Sequence, residues 1–146
     1  MKKVLLISCL VLCISGLAFA QQVQKITITY ATTGDDKDWN TQGRDNIVCN
    51  GVVMAELNCC DQDKNIDHWN DQSTTSRDMV HVQPFMKGAL TGCTFNFGMV
   101  AKANDTWQVI PSITVFYRDG TNVSQTFDEK SLKSSSSLTS VPFPLD

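Results

Sequence analysis

In the stretch Thr91-Gly92-Cys93-Thr94-Phe95-Asn96-Phe97-Gly98-Met99-Val100-Ala101-Lys102-Ala103, Cys93, Phe95, Phe97, Met99 and Ala101 alternate with Thr94, Asn96, Gly98, Val100 and Lys102. An apolar residue at every second position marks a strand with one face buried, because successive side chains of an extended chain point to opposite sides. Ile26, Ile28 and Tyr30 alternate with Thr27 and Thr29 in the same way and predict a first strand. Val80, Val82 and Pro84 predict another, with Pro84 at its end or at a sheet edge.

The segment from Ile113 to Phe127 reads as a hairpin folded around Arg118-Asp119-Gly120. A two-residue turn would set Val115 against Ser124 and Ile113 against Thr126, mixing apolar with polar on one face. A three-residue loop with Gly120 in the left-handed conformation instead sets Val115 against Val123 and Tyr117 against Thr121. It also gathers Ile113, Val115, Tyr117, Val123 and Phe127 on one side. The three-residue loop is the expectation.

Gly51 to Leu57 suits a buried strand or a short helix, and the flanking Cys49, Cys59 and Cys60 favour strand. Asp35 to Asn46 and Asp61 to Asp78 read as long polar loops, which in a small domain are functional or poorly ordered. Ser134 to Ser137 reads as solvated, and Val141-Pro142-Phe143-Pro144 as an extended tail that either docks or frays. The total is six to eight strands, predicting an all-β fold, an antiparallel β-sandwich. Its domain would span residues 21–130, followed by a Ser/Pro-rich tail over 131–146.

Composition agrees. Only Glu56 and Glu129 are glutamates, while Ser and Thr abound, so strand and turn formers replace helix formers. At the N-terminus, Lys2 and Lys3 precede an apolar run from Val4 to Leu17, and Ala18-Phe19-Ala20 places small residues at the positions signal peptidase reads. Residues 1–20 are therefore expected to be a signal peptide of bacterial type, leaving a secreted or periplasmic chain from Gln21 with no membrane anchor. The apolar stretch before Cys9 is too short for Leu6-Ile7-Ser8-Cys9 to serve as a lipoprotein box. Loss of Lys2 and Lys3 takes Lys plus Arg from 12 to 10 against 15 acids, and the net charge from −3 to −5. That sign disfavours nucleic acid and anionic membrane as partners.

Of six cysteines, Cys9 and Cys13 fall in the leader. Cys49, Cys59, Cys60 and Cys93 remain, an even number in a compartment where disulfides persist, so two bridges are expected. Adjacent Cys59 and Cys60 would form a strained ring, so Cys49 is expected to pair with one of them and Cys93 with the other. No Cys-x-x-Cys spacing supports a redox or metal role.

Trp39-Asn40-Thr41-Gln42 recurs as Trp69-Asn70-Asp71-Gln72, each followed by an Arg-Asp pair, Arg44-Asp45 and Arg77-Asp78. A loop tryptophan beside amides and an Arg-Asp pair suits a sugar, whose apolar face the indole covers while amides and charges meet its hydroxyls. Trp39, Asn40, Gln42, Arg44, Trp69, Asn70, Gln72 and Arg77 are thus the candidate ligand-binding residues, with a glycan or a host protein as partner. The competing structural account makes both tryptophans lids over the sheet.

Asp61, Asp63, Asn65 and Asp67 place oxygen ligands at alternate positions and resemble the first half of an EF-hand calcium loop. Ile66 stands where that loop needs glycine, Gln72 where it needs a closing glutamate, and Lys64 adds a positive charge. No cofactor is expected, beyond weak Ca2+ at those four residues. His68 and His81 are the only imidazoles and with Lys87 would serve a small secreted nuclease, which the acidic net charge disfavours; separately, Asp38, Asp45, Asp67 and Asp71 would pair as the carboxylates of a secreted glycosidase. No Gly-x-Ser-x-Gly, His-Glu-x-x-His or phosphate-cradling loop occurs. The alternatives to a non-enzymatic binding protein are a small secreted hydrolase of either kind and a protein-interaction or inhibitor module. Asn104-Asp105-Thr106 and Asn122-Val123-Ser124 have the form of glycosylation sequons and are read as chance in a bacterial chain.

Overall fold

Residues Cys93–Ala101 form a strand, and Cys93, Phe95, Phe97 and Met99 are buried as their alternation predicts. The structure is a computed structural model that describes residues 22–35, 37, 41–59, 69–81, 84, 86–101, 106–133 and 137–143. In chain order the strands are β1 (Val23–Thr32), β2 (Thr41–Cys49), β3 (Val52–Cys59), β4 (Thr74–Asp78), β5 (Val80–His81), β6 (Cys93–Ala101), β7 (Thr106–Tyr117), β8 (Asn122–Thr126), β9 (Lys130–Lys133) and β10 (Ser137–Phe143). A 3-10 turn, Lys87–Leu90, precedes β6. Among the described residues no helix is long and apolar enough to cross a membrane.

The strands make two antiparallel five-stranded sheets. The first runs β4-β1-β7-β8, with β9 also on β7, and the second runs β10-β6-β2-β3-β5. Their inner faces meet in one core: Ile26, Ile28, Tyr30, Trp107, Val109, Ile113, Val115 and Tyr117 from the first against Ile47, Ala55, Leu57, Phe95, Phe97 and Met99 from the second. The fold is the antiparallel β-sandwich expected.

β8 and β9 lie successively along one side of β7, β9 against Thr106–Val109 and β8 against Ser112–Phe116. Pro111 falls between them. Its carbonyl accepts the Phe127 N–H at 2.9 Å, so its nitrogen, which has no hydrogen, faces the same side. A proline is tolerated in this inner strand because it sits where one neighbour has ended and the next is starting.

The β7–β8 hairpin follows the predicted register. Val115 is opposite Val123, the Tyr117 N–H donates to the Thr121 carbonyl at 2.9 Å, and Gly120 has φ of 84°. The β2–β3 hairpin turns on Asn50 and Gly51, whose φ values of 51° and 78° are those of a type I′ turn, whose sense of twist matches that of the flanking strands.

Several expectations are corrected. Thr41–Cys49 is strand, so the polar loop expected to reach Asn46 does not extend past Thr41; likewise the second does not extend past Thr74, because Thr74–Asp78 is strand. β2 escaped the hydrophobic pattern because its first inward positions are Thr41, Gly43 and Asp45, and β4 because it is a polar edge strand. β5 covers only Val80–His81; Met79 is buried and Val80 is 66% exposed, the reverse of the predicted facing. Val82 lies outside the described residues. Residues 137–143, expected as tail, dock on β6 as an edge strand that carries Pro142, so the sheet extends beyond residue 130.

The disulfide pairing also differs. Cys49 bonds Cys93, with Cα atoms 4.3 Å apart, across neighbouring ends of β2 and β6. The β2–β3 register explains why Cys49 cannot reach Cys59: Cys49 is opposite Val52, whereas Cys59 is opposite Gly43 at the far end of the ribbon. Seven strand residues at about 3.3 Å each put roughly 20 Å between the two. Cys60 and the side chain of Cys59 lie outside what is described.

Candidate functional site

β1 ends, β2 begins, β3 ends, β4 begins, β6 ends and β7 begins at one end of the sandwich, here called the loop end. The Asn50-Gly51 and Arg118–Gly120 hairpins and the Cys49–Cys93 bond occupy the other. Both segments carrying the Trp-Asn-x-Gln likeness therefore emerge at the loop end.

Backbone hydrogen bonds tie the chain around Thr32–Lys37 to the second of these segments and to the start of β7. Lys37 and Trp69 exchange N–H to carbonyl bonds in both directions, each 3.1 Å, as an isolated antiparallel bridge. The Thr32 N–H donates to Ser73, Thr33 to Gln108, and Gln108 to Asp35, at 2.9, 2.9 and 3.2 Å. Asn70 accepts the Ser73 N–H at 3.2 Å, closing a turn in which Gln72 has a φ of 57°.

Under this bridge the inner face holds an aromatic cluster. Trp69, 4% exposed, stacks on Tyr30 with centroids 5.0 Å apart and meets Trp107 edge-on at 5.3 Å. The Trp107 indole N–H donates to the Thr32 hydroxyl at 3.1 Å. Two cations face the Trp69 ring, Lys37 Nζ at 5.0 Å and the Arg77 guanidinium carbon at 5.7 Å, where the ring's negative face attracts them. Lys37 is fully buried. Trp69 Nε1 is buried and has no hydrogen-bond partner among the described residues.

Asp45 completes the cluster from the opposite sheet. It is buried, accepts the Tyr30 hydroxyl and is also bonded to the Gly98 backbone. Burial disfavours its charged form and pushes its pKa up to about 7, although both hydrogen bonds pull the other way. Tyr30 is raised well above the usual phenol range, first by burial and then by the Asp45 carboxylate.

The two copies of the sequence likeness are therefore used differently. In the first, Asp45 points into the core and Arg44 is exposed; in the second, Arg77 lies beside Trp69 and Asp78 is exposed, paired with Lys25 at 3.1 Å. Gln42 is the second residue of β2, and Arg44 donates to it at 3.4 Å on the outer face of the second sheet. Asn70 and Gln72 are exposed at the loop end. The candidate residues thus divide between the outer face, the loop end and the core, and the Trp69 indole is covered in this form. Trp39, Asn40, Asp61, Asp63, Asn65, Asp67, His68 and Asp38 lie outside the described residues, as does the side chain of His81.

Sequence patterns missed Tyr30, Lys37 and Trp107 as partners of Trp69, and Asp45 as the partner of Tyr30. Tyr30 and Trp107 stand at inward positions of alternating strands and so were legible as core, but a buried Lys37 and Asp45 carry no such signal. Among the described residues no three His, Cys, Asp or Glu side chains converge to hold a metal ion. Comparison with protein families, with curated proteins and with solved structures finds no match to this chain.

Proposed function

We propose that the chain is an exported, non-enzymatic binding module whose loop end contacts an extracellular or host ligand, with a glycan as the favoured class. The observation that supports this most is the Lys37–Trp69 backbone bridge, which joins the second Trp-Asn-x-Gln segment to the chain two residues before the first, at one end of a rigid scaffold. Binding functions concentrate on loops held by such scaffolds, and a loop already anchored by backbone hydrogen bonds loses less entropy when it takes a ligand. In this account Trp69 is the buried support of the site, while Trp39, Asn40, Asn70 and Gln72 supply the contacts.

A glycan panel probed with the chain from Gln21, read by array signal and tryptophan emission, tests this. Trp39→Ala and Asn70→Ala are expected to abolish the response while leaving the unfolding midpoint unchanged. The proposal fails if no glycan responds, or if both variants bind as the wild type does. Capture of a protein partner with no glycan response would instead favour the interaction-module alternative.

A further inference from the structure

The outer face of the first sheet carries a grid of hydroxyls. The register of β4, β1, β7 and β8 sets Asp78, Thr27, Thr114 and Ser124 side by side in one row, and Ser76, Thr29, Ser112 and Thr126 in the next. Every position but Asp78 is serine or threonine, and the intervening Ile28 and Ile113 point into the core. Neighbours within the rows are tied to one another: Thr27 donates to Asp78 at 2.8 Å, Thr29 and Ser76 are bonded at 2.8 Å, and Thr114 and Ser124 at 2.9 Å. A hydroxyl has one donor and two acceptor sites, so each bonded pair is held in orientation and keeps capacity for water. Branching at Cβ restricts the threonines further. Asp78, the one charge in the rows, stands on the edge strand and pairs with Lys25 at 3.1 Å, which leaves the grid neutral on an acidic chain.

We propose that this face binds ice. Strands about 4.7–4.9 Å apart repeat the hydroxyls at that interval along each row. Water oxygens about 2.7–2.8 Å apart in a tetrahedral network have second neighbours about 4.5 Å apart, so a row runs nearly in step with a line of lattice oxygens. Sheet twist rotates each strand against the next and leaves the spacing along a row close to that value. The match in charge is as close as the match in spacing, since a neutral grid of donors and acceptors meets a neutral lattice of donors and acceptors. Hydroxyls already fixed by their neighbours lose little freedom on contact.

Other occupants fit this face less well. A sugar surface calls for an aromatic platform, and neither row holds a ring. The core of a protein interface is built on aromatic, Met and Arg anchors and is depleted in serine. The inference is independent of the loop-end site, because the rows include none of Trp39, Asn40, Asn70 and Gln72.

The test freezes a dilute solution of the chain from Gln21 slowly from a cold surface and compares protein in the ice with protein in the remaining liquid, using serum albumin as the excluded control. A single ice crystal held in the same solution is watched for faceting. The wild type is expected to enter the ice several-fold above albumin and to facet the crystal. Thr29→Lys, in the middle of the grid, should fall to the albumin level with its circular dichroism and unfolding midpoint unchanged. Thr114→Tyr, which keeps strand preference while lifting the lattice off the neighbouring row, is the second variant should the lysine not fold, with the same result expected. Asn70→Ala should enter ice as the wild type does, whatever it does to a glycan response, which separates this proposal from the loop-end one. Exclusion of the wild type from ice would overturn the inference, and so would wild-type entry by a folded grid variant. Binding to a crystalline polysaccharide such as cellulose, or dimerisation through this face, without enrichment in ice would overturn it equally.

Discussion

Asp45→Asn should change how stability depends on pH. The folded protein holds the Asp45 proton up to about pH 7, whereas the unfolded chain releases it near the ordinary aspartate value of 3.8. Between these limits the native state binds the extra proton, so the contribution of Asp45 is fully present below about pH 4 and is lost as pH rises through about 7. At 1.36 kcal/mol per unit, a gap of about 3 units amounts to about 4 kcal/mol. Asparagine keeps a carbonyl oxygen for the Tyr30 hydroxyl but cannot ionise. Urea unfolding of both proteins, followed by tryptophan emission and far-ultraviolet circular dichroism from pH 4 to pH 8, isolates the effect, because all other titrating groups are shared. The stability difference should shift toward the variant by up to about 4 kcal/mol across that range, whatever the amide itself costs. Parallel profiles would refute the placement of an ionisable carboxyl in this core.

Three further substitutions probe the scaffold. Gly120→Ala should cost about 1 kcal/mol by denaturant unfolding, because φ is 84° there and a new Cβ would meet nothing within 4 Å, so the loss is purely conformational. Replacing Cys49 and Cys93 together by alanine should cost about 4 kcal/mol by the loop-entropy relation, given their separation of 44 residues. Trp69→Ala should cost about 3–5 kcal/mol, since it empties the space between Tyr30, Trp107 and Lys37; a change below about 1 kcal/mol would mean the indole is not packed there.

The strands that could be read from sequence were those whose buried face is apolar along its whole length. Ile26, Ile28 and Tyr30 show this in β1, as do Phe95, Phe97 and Met99 in β6. The β7–β8 hairpin was legible down to its register because Val115 and Val123 gain only from being opposite each other. β2 was not, because Thr41, Gly43 and Asp45 occupy inward positions; what makes Asp45 tolerable there is Tyr30, a partner on another sheet. The Cys49–Cys93 bond depends on β2 and β6 being neighbours, a fact of strand order that local periodicity does not contain. At the loop end the Trp-Asn-x-Gln likeness suggested two equivalent copies. The Asn70–Ser73 turn and the start of β2 at Thr41 give them different backbones and turn different members of each Arg-Asp pair inward.

Chemical-shift mapping of the chain from Gln21, titrated with a glycan that responds in the panel, bears most directly on the proposed site. The account predicts that shifting amides cluster at residues 33–42 and 69–73, with the Lys37 and Trp69 signals moving together. Shifts confined to the Asn50-Gly51 and Arg118–Gly120 hairpins at the opposite end, or no shifts at all, would contradict it.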